Sequence, residues 1–110
     1  MMSWPIKRAR VSGDSMAPTY RDGDLIWVRI FASVPNEIRL GTVVLIERDA
    51  QPGVLYIKRV QRAHGGAFWV EGDNADPDAL TRISDSRRWG YIPAHEIKGR
   101  ALYVRRQRKV

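Results

Sequence analysis

The sequence predicts an all-β fold, a coiled, barrel-like and mainly antiparallel sheet in a single domain over residues 1–110. Three observations carry this reading. Short β-branched and aromatic runs alternate with turn residues along the chain. No long segment repeats its apolar residues at the helical period of 3.6. Several short strands joined by regular turns are the pattern of a barrel or coiled sheet.

The expected strands, in order, are 9–12, 25–30, 42–47, 54–61, 67–71, 91–93 and 100–105. Between them stand Asp22-Gly23-Asp24, Pro35-Asn36, Gln51-Pro52-Gly53, His64-Gly65-Gly66 and Gly72-Asp73-Asn74. Glycine supplies positive φ, proline presets φ, and Asp or Asn bonds its own backbone, so each cluster has a turn mechanism. Pro52-Gly53 and Gly65-Gly66 read as hairpin connections. Residues 76–83 read as one helical turn, with Asp76 as N-cap and Pro77 in the first helical position.

Composition narrows the function. Hydrophobic residues make up 44% and charged residues 28% of the 110, a globular balance rather than a disordered one. Without cysteine there is no disulfide framework, thiol nucleophile or thiolate metal site. No apolar run approaches the ~20 residues of a membrane span, and the first ten residues are too short and polar for a signal peptide. The expectation is a soluble, cytoplasmic protein, with any membrane association coming through a partner or a missing anchor. The net charge of +7 gathers partly at the ends, including a basic tail at about 105–110, and reads as a solvated terminus.

Four segments carry chemistry. Ser12-Gly13-Asp14-Ser15-Met16-Ala17-Pro18-Thr19 is a small turn that presents a serine and aims backbone N–H groups at one point, the geometry of an oxyanion hole. In the segment 54–60, alternation puts Val54, Tyr56, Lys58 and Val60 on one strand face. Lys58 is thus a cation on an otherwise apolar face, where burial disfavours its charge, and a neutral lysine can accept a serine proton. The segments 70–74 and 84–93 mix turn formers with side chains that build local hydrogen-bond networks, and Asp85 with Arg87 reads as an ion pair of the surface kind, which in isolation matters little.

Together, and in this order, the four segments resemble the type I signal peptidases from about Arg10 to Val104. The matching boxes are Ser15-Met16-Ala17-Pro18-Thr19 with Gly23-Asp24, Lys58-Arg59, Gly72-Asp73-Asn74, and Asp85-Ser86-Arg87-Arg88-Trp89-Gly90. The resemblance implies a serine endopeptidase with Ser15 as nucleophile, Lys58 as general base, and no metal or cofactor. It implies a fold of the signal peptidase and self-cleaving repressor type. It also implies a partner in the form of a protein or peptide with an N-terminal leader, cut after a small residue. Met16 and Pro18 are candidates for contact with that peptide, and Met16 with the strand 25–30 for the apolar lining of its pocket.

Two departures bear on the supporting residues. Gly13 stands where some members carry a hydroxyl that helps hold the oxyanion, which makes Ser12 the candidate donor. Ile83 stands where many carry a lysine-orienting serine, which leaves Ser84 as the nearest hydroxyl beside Asp85 and Arg87. His64 and His95 fall outside the boxes and read as exposed structural residues. Size and the lack of an anchor resemble the maturation proteases of nickel-type superoxide dismutase. The alternatives are a self-cleaving repressor-type Ser/Lys protease and, in another class, a basic β-barrel that binds nucleic acid through Trp27, Trp69, Trp89 and Tyr91; no nucleic acid is expected on the principal reading.

Overall fold

The computed structural model describes residues 5–80 and 84–106. Seven strands form one sheet, in which every pairing is antiparallel. They are β1 (Ile6–Arg10), β2 (Leu25–Ile30), β3 (Val43–Glu47), β4 (Leu55–His64), β5 (Ala67–Glu71), β6 (Ile92–Pro93) and β7 (Ile97–Arg105), in the spatial order β1-β2-β7-β3-β4-β5-β6. Two one-turn helices, α1 (Pro77–Leu80) and α2 (Ser86–Trp89), precede β6, and a 3-10 turn at Ala94–Glu96 precedes β7.

The last strand in the sequence, β7, inserts between β2 and β3, and the sheet has a core on each of its two faces. β3 shows why. Its residues 43–46 are all buried, as a strand covered on both sides requires. Val44 and Ile46 enter one cluster with Val60, Phe68, Val70, Ile92 and Ile97. Leu45 enters the other with Ile26 and Val28. Gly99 of β7 permits the close crossing of β2: a Cβ there would lie 2.4 Å from the Arg29 carbonyl oxygen.

The all-β expectation holds, and both expected hairpins connect neighbouring strands. Some boundaries move. β1 occupies Ile6–Arg10 rather than 9–12, because all five of its residues pair in register with β2 while Ser12 already belongs to the turn. β7 starts at Ile97, before the expected residue 100. His64 ends β4 instead of opening a turn, and His95 lies in the 3-10 turn; both are exposed. The helical turn after Asp76 runs over Pro77–Leu80, and Ile83 and the tail 107–110 lie outside the described residues.

Candidate active site

β1 delivers the chain into the turn that carries Ser15. This turn is held from beneath by the Gly72-Asp73-Asn74 segment that follows β5. The Asn74 backbone N–H donates to the Ser15 carbonyl at 3.0 Å, and its side-chain amide donates to the Asp14 carbonyl at 2.8 Å. Asp73 accepts from the Thr19 hydroxyl at 2.6 Å and from Arg59 Nε and Nη2 at 2.9 and 2.7 Å. Strand β4 is thereby tied to the serine turn through Arg59, the residue beside Lys58. Burial pushes the Asp73 carboxyl up, but the Arg59 and Thr19 bonds outweigh it and hold the group below its usual range.

Gly72 is the contact point between serine and lysine. A Cβ there would stand 2.5 Å from the Ser15 carbonyl oxygen and 3.6 Å from Lys58 Nζ. Only a residue without a side chain lets the Ser15 carbonyl come this close, while a methyl would be in ordinary contact with Lys58. The Gly72 N–H donates to Asp85 Oδ2 at 2.9 Å. Asp85 in turn accepts from Arg87 through Nη2 at 2.7 Å, Nε at 3.1 Å and the backbone N–H at 3.0 Å. The expected Asp85–Arg87 pair therefore exists, but it is no surface pair: Asp85 is 1% exposed and also caps α2. Burial raises its carboxyl, and the Arg87 and backbone bonds more than offset this, leaving the group below its usual range.

Lys58 is 3% exposed. Tyr56 and Val60, which share its face, pack in the larger core cluster. Among the described residues it makes no ion pair. Burial lowers its pKa, the Arg87 charge lowers it further, and the Asp85 charge pulls partly the other way. The sequence reading of a lysine on an apolar strand face is thus matched by its position.

Ser15 is exposed at the mouth of a cavity of about 180 Å³ that Lys58 also lines. No direct hydrogen bond joins Ser15 Oγ and Lys58 Nζ among the described residues. Ser12 and Met16 border the same cavity; Pro18 and Ser84 do not. The Gly13 N–H is engaged by Asp22 Oδ1 at 2.8 Å. Ser86, beside Asp85, is buried and its hydroxyl accepts from the Val70 N–H at 2.8 Å. Ile26, on the strand 25–30, borders the cavity as expected, but the rest of the apolar wall, Tyr20, Leu45 and Ile57, was not singled out from sequence. Its signal was present in the strand alternation, yet alternation does not say which core positions border a cavity. A wider depression of about 610 Å³ between Asn36–Arg39 and His64–Phe68 holds neither Ser15 nor Lys58.

A group that brings metal-type ligand atoms together among the described residues is Asp49, His95 and Glu96, within 4.8 Å of one another. Glu96 already takes Arg48 Nε at 2.7 Å and the Asp49 N–H at 2.8 Å. A cation there would face the arginine, and the group does not border the serine cavity.

An antiparallel sheet that brings a turn serine and a buried lysine to one cavity has the layout of a peptidase domain. Comparison with known proteins agrees. The model of the Peptidase S24-like family matches residues 6–105, and the chain belongs to that family. It is 29% identical over 120 aligned residues to the mitochondrial ATP-independent inner membrane protease subunit 1a of Arabidopsis thaliana, covering 88% of this chain and 68% of that protein. It is 28% identical over 112 residues to the mitochondrial inner membrane protease subunit 1 of Mus musculus and of Homo sapiens, covering 84% of this chain and 64% of each. These relatives bear out the resemblance to type I signal peptidases. No helix among the described residues is long and apolar enough to cross a membrane.

Proposed function

We propose that this peptidase is a Ser/Lys-dyad endopeptidase that removes an N-terminal leader by cutting after a small residue. The observation that carries the reading is the convergence of Ser15 and the desolvated Lys58 on Gly72. Neutral Lys58 takes the proton of the Ser15 hydroxyl as Oγ attacks the scissile carbonyl. The tetrahedral oxyanion is held by the Ser15 N–H and the Ser12 hydroxyl. Lys58 returns its proton to the departing amine, leaving an ester on Ser15. Water then attacks that ester while Lys58 again accepts a proton, which it gives to the Ser15 oxygen as the acid product leaves. Asp85 and Arg87 hold Gly72 in place and act as positioning residues, as Asp73, Arg59 and Asn74 do for the serine turn.

The substrate runs as an added strand. Register pairs between β4 and β5 begin at Arg59, so residues 55–58 have no partner on that side among the described residues. This stretch faces residues 9–12 across the cavity, and an extended peptide between the two gains backbone bonds while one side chain points inward. The wall of Met16, Tyr20, Ile26, Leu45 and Ile57 favours a small, uncharged side chain before the cut.

The test is mass spectrometry of candidate precursors after incubation with the protein. The two leaders to try first are that of a nickel-type superoxide dismutase precursor, suggested by the sequence resemblance, and a presequence of the kind processed at a membrane, suggested by the relatives' names. A single cut after alanine or glycine, lost in Ser15→Ala, supports the reading. A cut that persists in Ser15→Ala, or one placed after bulky residues, overturns it.

A further inference from the structure

The register between β2 and β7 pairs Leu25 with Arg105, so the next residue of each segment, Asp24 and Arg106, meet at the end of the ladder. Arg106 Nη1 donates to Asp24 Oδ2 at 2.8 Å and to the Thr19 carbonyl at 2.5 Å. Arg106 falls in the basic tail that reads from sequence as a solvated terminus, but its guanidinium closes on the segment that follows Ser15. Asp24 is 2% exposed, and its Oδ2 also accepts from the Arg21 N–H at 2.8 Å. A carboxylate withdrawn this far from water needs donors, and a charged donor bonds it most strongly.

Thr19 is held at both of its polar groups. Its hydroxyl donates to Asp73 at 2.6 Å, and its carbonyl accepts from Arg106. Asp73 is paired with Arg59 of β4, and Asp24 with Arg106 just past β7, so two Arg–Asp pairs from different strands clamp one residue of the serine box. Within 11–24 the chain also bonds to itself. The Tyr20 N–H donates to the Met16 carbonyl at 3.0 Å, the Gly23 N–H to that of Val11 at 2.8 Å, and the Asp24 N–H to that of Arg21 at 3.0 Å. Met16 and Tyr20 line the serine cavity with Ser15 itself. β2 and β7 do not need the Arg106–Asp24 pair to stay together, since their ladder from Leu25 to Ile30 and the buried Ile26 and Val28 hold them.

We infer that Arg106 is a positioning residue for the nucleophile: from the end of β7 it holds the 19–24 limb, and so fixes Ser15, Met16 and Tyr20 around the cavity. The effect on catalysis rests on the proposed role of Ser15; the hold on the limb does not. A guanidinium suits the task because its planar, always charged fork serves a carboxylate and a carbonyl together, whereas a lysine offers a point charge on a flexible stem. Loss of Arg106 leaves the buried Asp24 carboxylate with one donor fewer and releases the Thr19 carbonyl, which favours local opening of the limb over unfolding of the sheet.

Amide hydrogen exchange read by NMR, together with peptide cleavage, tests this on the native full chain, Arg106→Ala and Arg106→Lys. In Arg106→Ala the Tyr20, Gly23 and Asp24 amides should exchange about tenfold faster, the scale of one hydrogen bond to a charged group, while the β3 and β4 amides keep their protection. On a leader peptide that the native chain cuts and Ser15→Ala does not, kcat should fall by about tenfold, as for a displacement well under 1 Å at the nucleophile, with KM changed less. Arg106→Lys should recover most of both losses. Should Arg106→Ala fail to fold, Arg106→Gln, which keeps N–H donors without the charge, should show the same losses in smaller degree. Cleavage that persists in Ser15→Ala overturns the dyad, and exchange alone then decides the hold on the limb. Unchanged exchange at Tyr20, Gly23 and Asp24, or protection lost equally across the sheet, overturns the inference. So does an unchanged kcat in a folded variant whose limb has loosened, or a lysine variant no better than the alanine one.

Discussion

Gly72→Ala is the sharpest perturbation of the serine–lysine contact. The added methyl would meet the Ser15 carbonyl oxygen at 2.5 Å, where ordinary contact begins near 3.4 Å, so the serine turn or the segment after β5 must shift by about 1 Å. Neither neighbour yields cheaply, since the Ser15 carbonyl also accepts from Asn74. Overpacking of this kind costs about 1–3 kcal/mol, which lowers the melting temperature by roughly 5–20 °C for a domain of this size. A misplacement of about 1 Å at the reacting group costs about a hundredfold in rate. Gly99→Ala is the control, because its methyl would meet the Arg29 carbonyl oxygen at 2.4 Å, at the β2–β7 crossing. Thermal unfolding and kcat/KM on a leader peptide, measured below the melting point of both variants, separate the cases. Both should lose stability, and only Gly72→Ala should lose activity per folded molecule. Equal activity in the two variants would refute the contact as a determinant of catalysis.

Three further outcomes follow from the same residues. Activity should rise with pH through the neutral range, because burial lowers the Lys58 pKa and the neutral fraction grows as pH climbs through it; a profile flat from acid to neutral pH, with chemistry limiting, argues against Lys58 as base. Lys58→Met should abolish cleavage yet melt higher at neutral pH. The folded chain resists protonating this lysine, a cost present below the folded pKa and gone above the ordinary value of 10.5. Each unit of depression is worth about 1.4 kcal/mol, so the stability gain should fade as pH approaches that value, and a variant that melts lower at all pH is the contrary result. Asp73→Asn should flatten the acid limb of the stability profile. The folded Asp73 carboxyl lies below its usual range, so its stabilisation is present above the unfolded pKa and disappears as pH falls through the folded one; an unchanged acid midpoint would contradict this.

Much of the fold was legible because its signals are local. Pro52-Gly53 and Gly65-Gly66 mark hairpins through backbone conformation alone, and the apolar run within 42–47 reads as a strand, though not as one buried on both faces. Alternation likewise placed Lys58 among Tyr56 and Val60. What remained hidden depends on distant partners. Nothing local says that β7 inserts between β2 and β3, or that Gly72 must lack a side chain because Ser15 comes from 57 residues earlier to touch it. Asp85 looked like one half of a surface pair, because its burial is imposed by the Gly72 N–H across the sheet end. The short helix at Ser86–Trp89 was missed for a related reason: one turn is below the length at which periodicity speaks, although Asp85 was already a good N-cap.

The account stands or falls on Ser15 and Lys58 acting as one unit. Single-turnover cleavage of a confirmed leader peptide by the native protein, Ser15→Ala, Lys58→Met and the double variant measures this directly, with circular dichroism showing each to be folded. Each single variant should lose essentially all activity, and the double variant should be little worse than either, because members of a catalytic unit are not additive. A folded single variant that keeps more than a few per cent of the native rate, or losses that multiply in the double variant, would contradict the dyad.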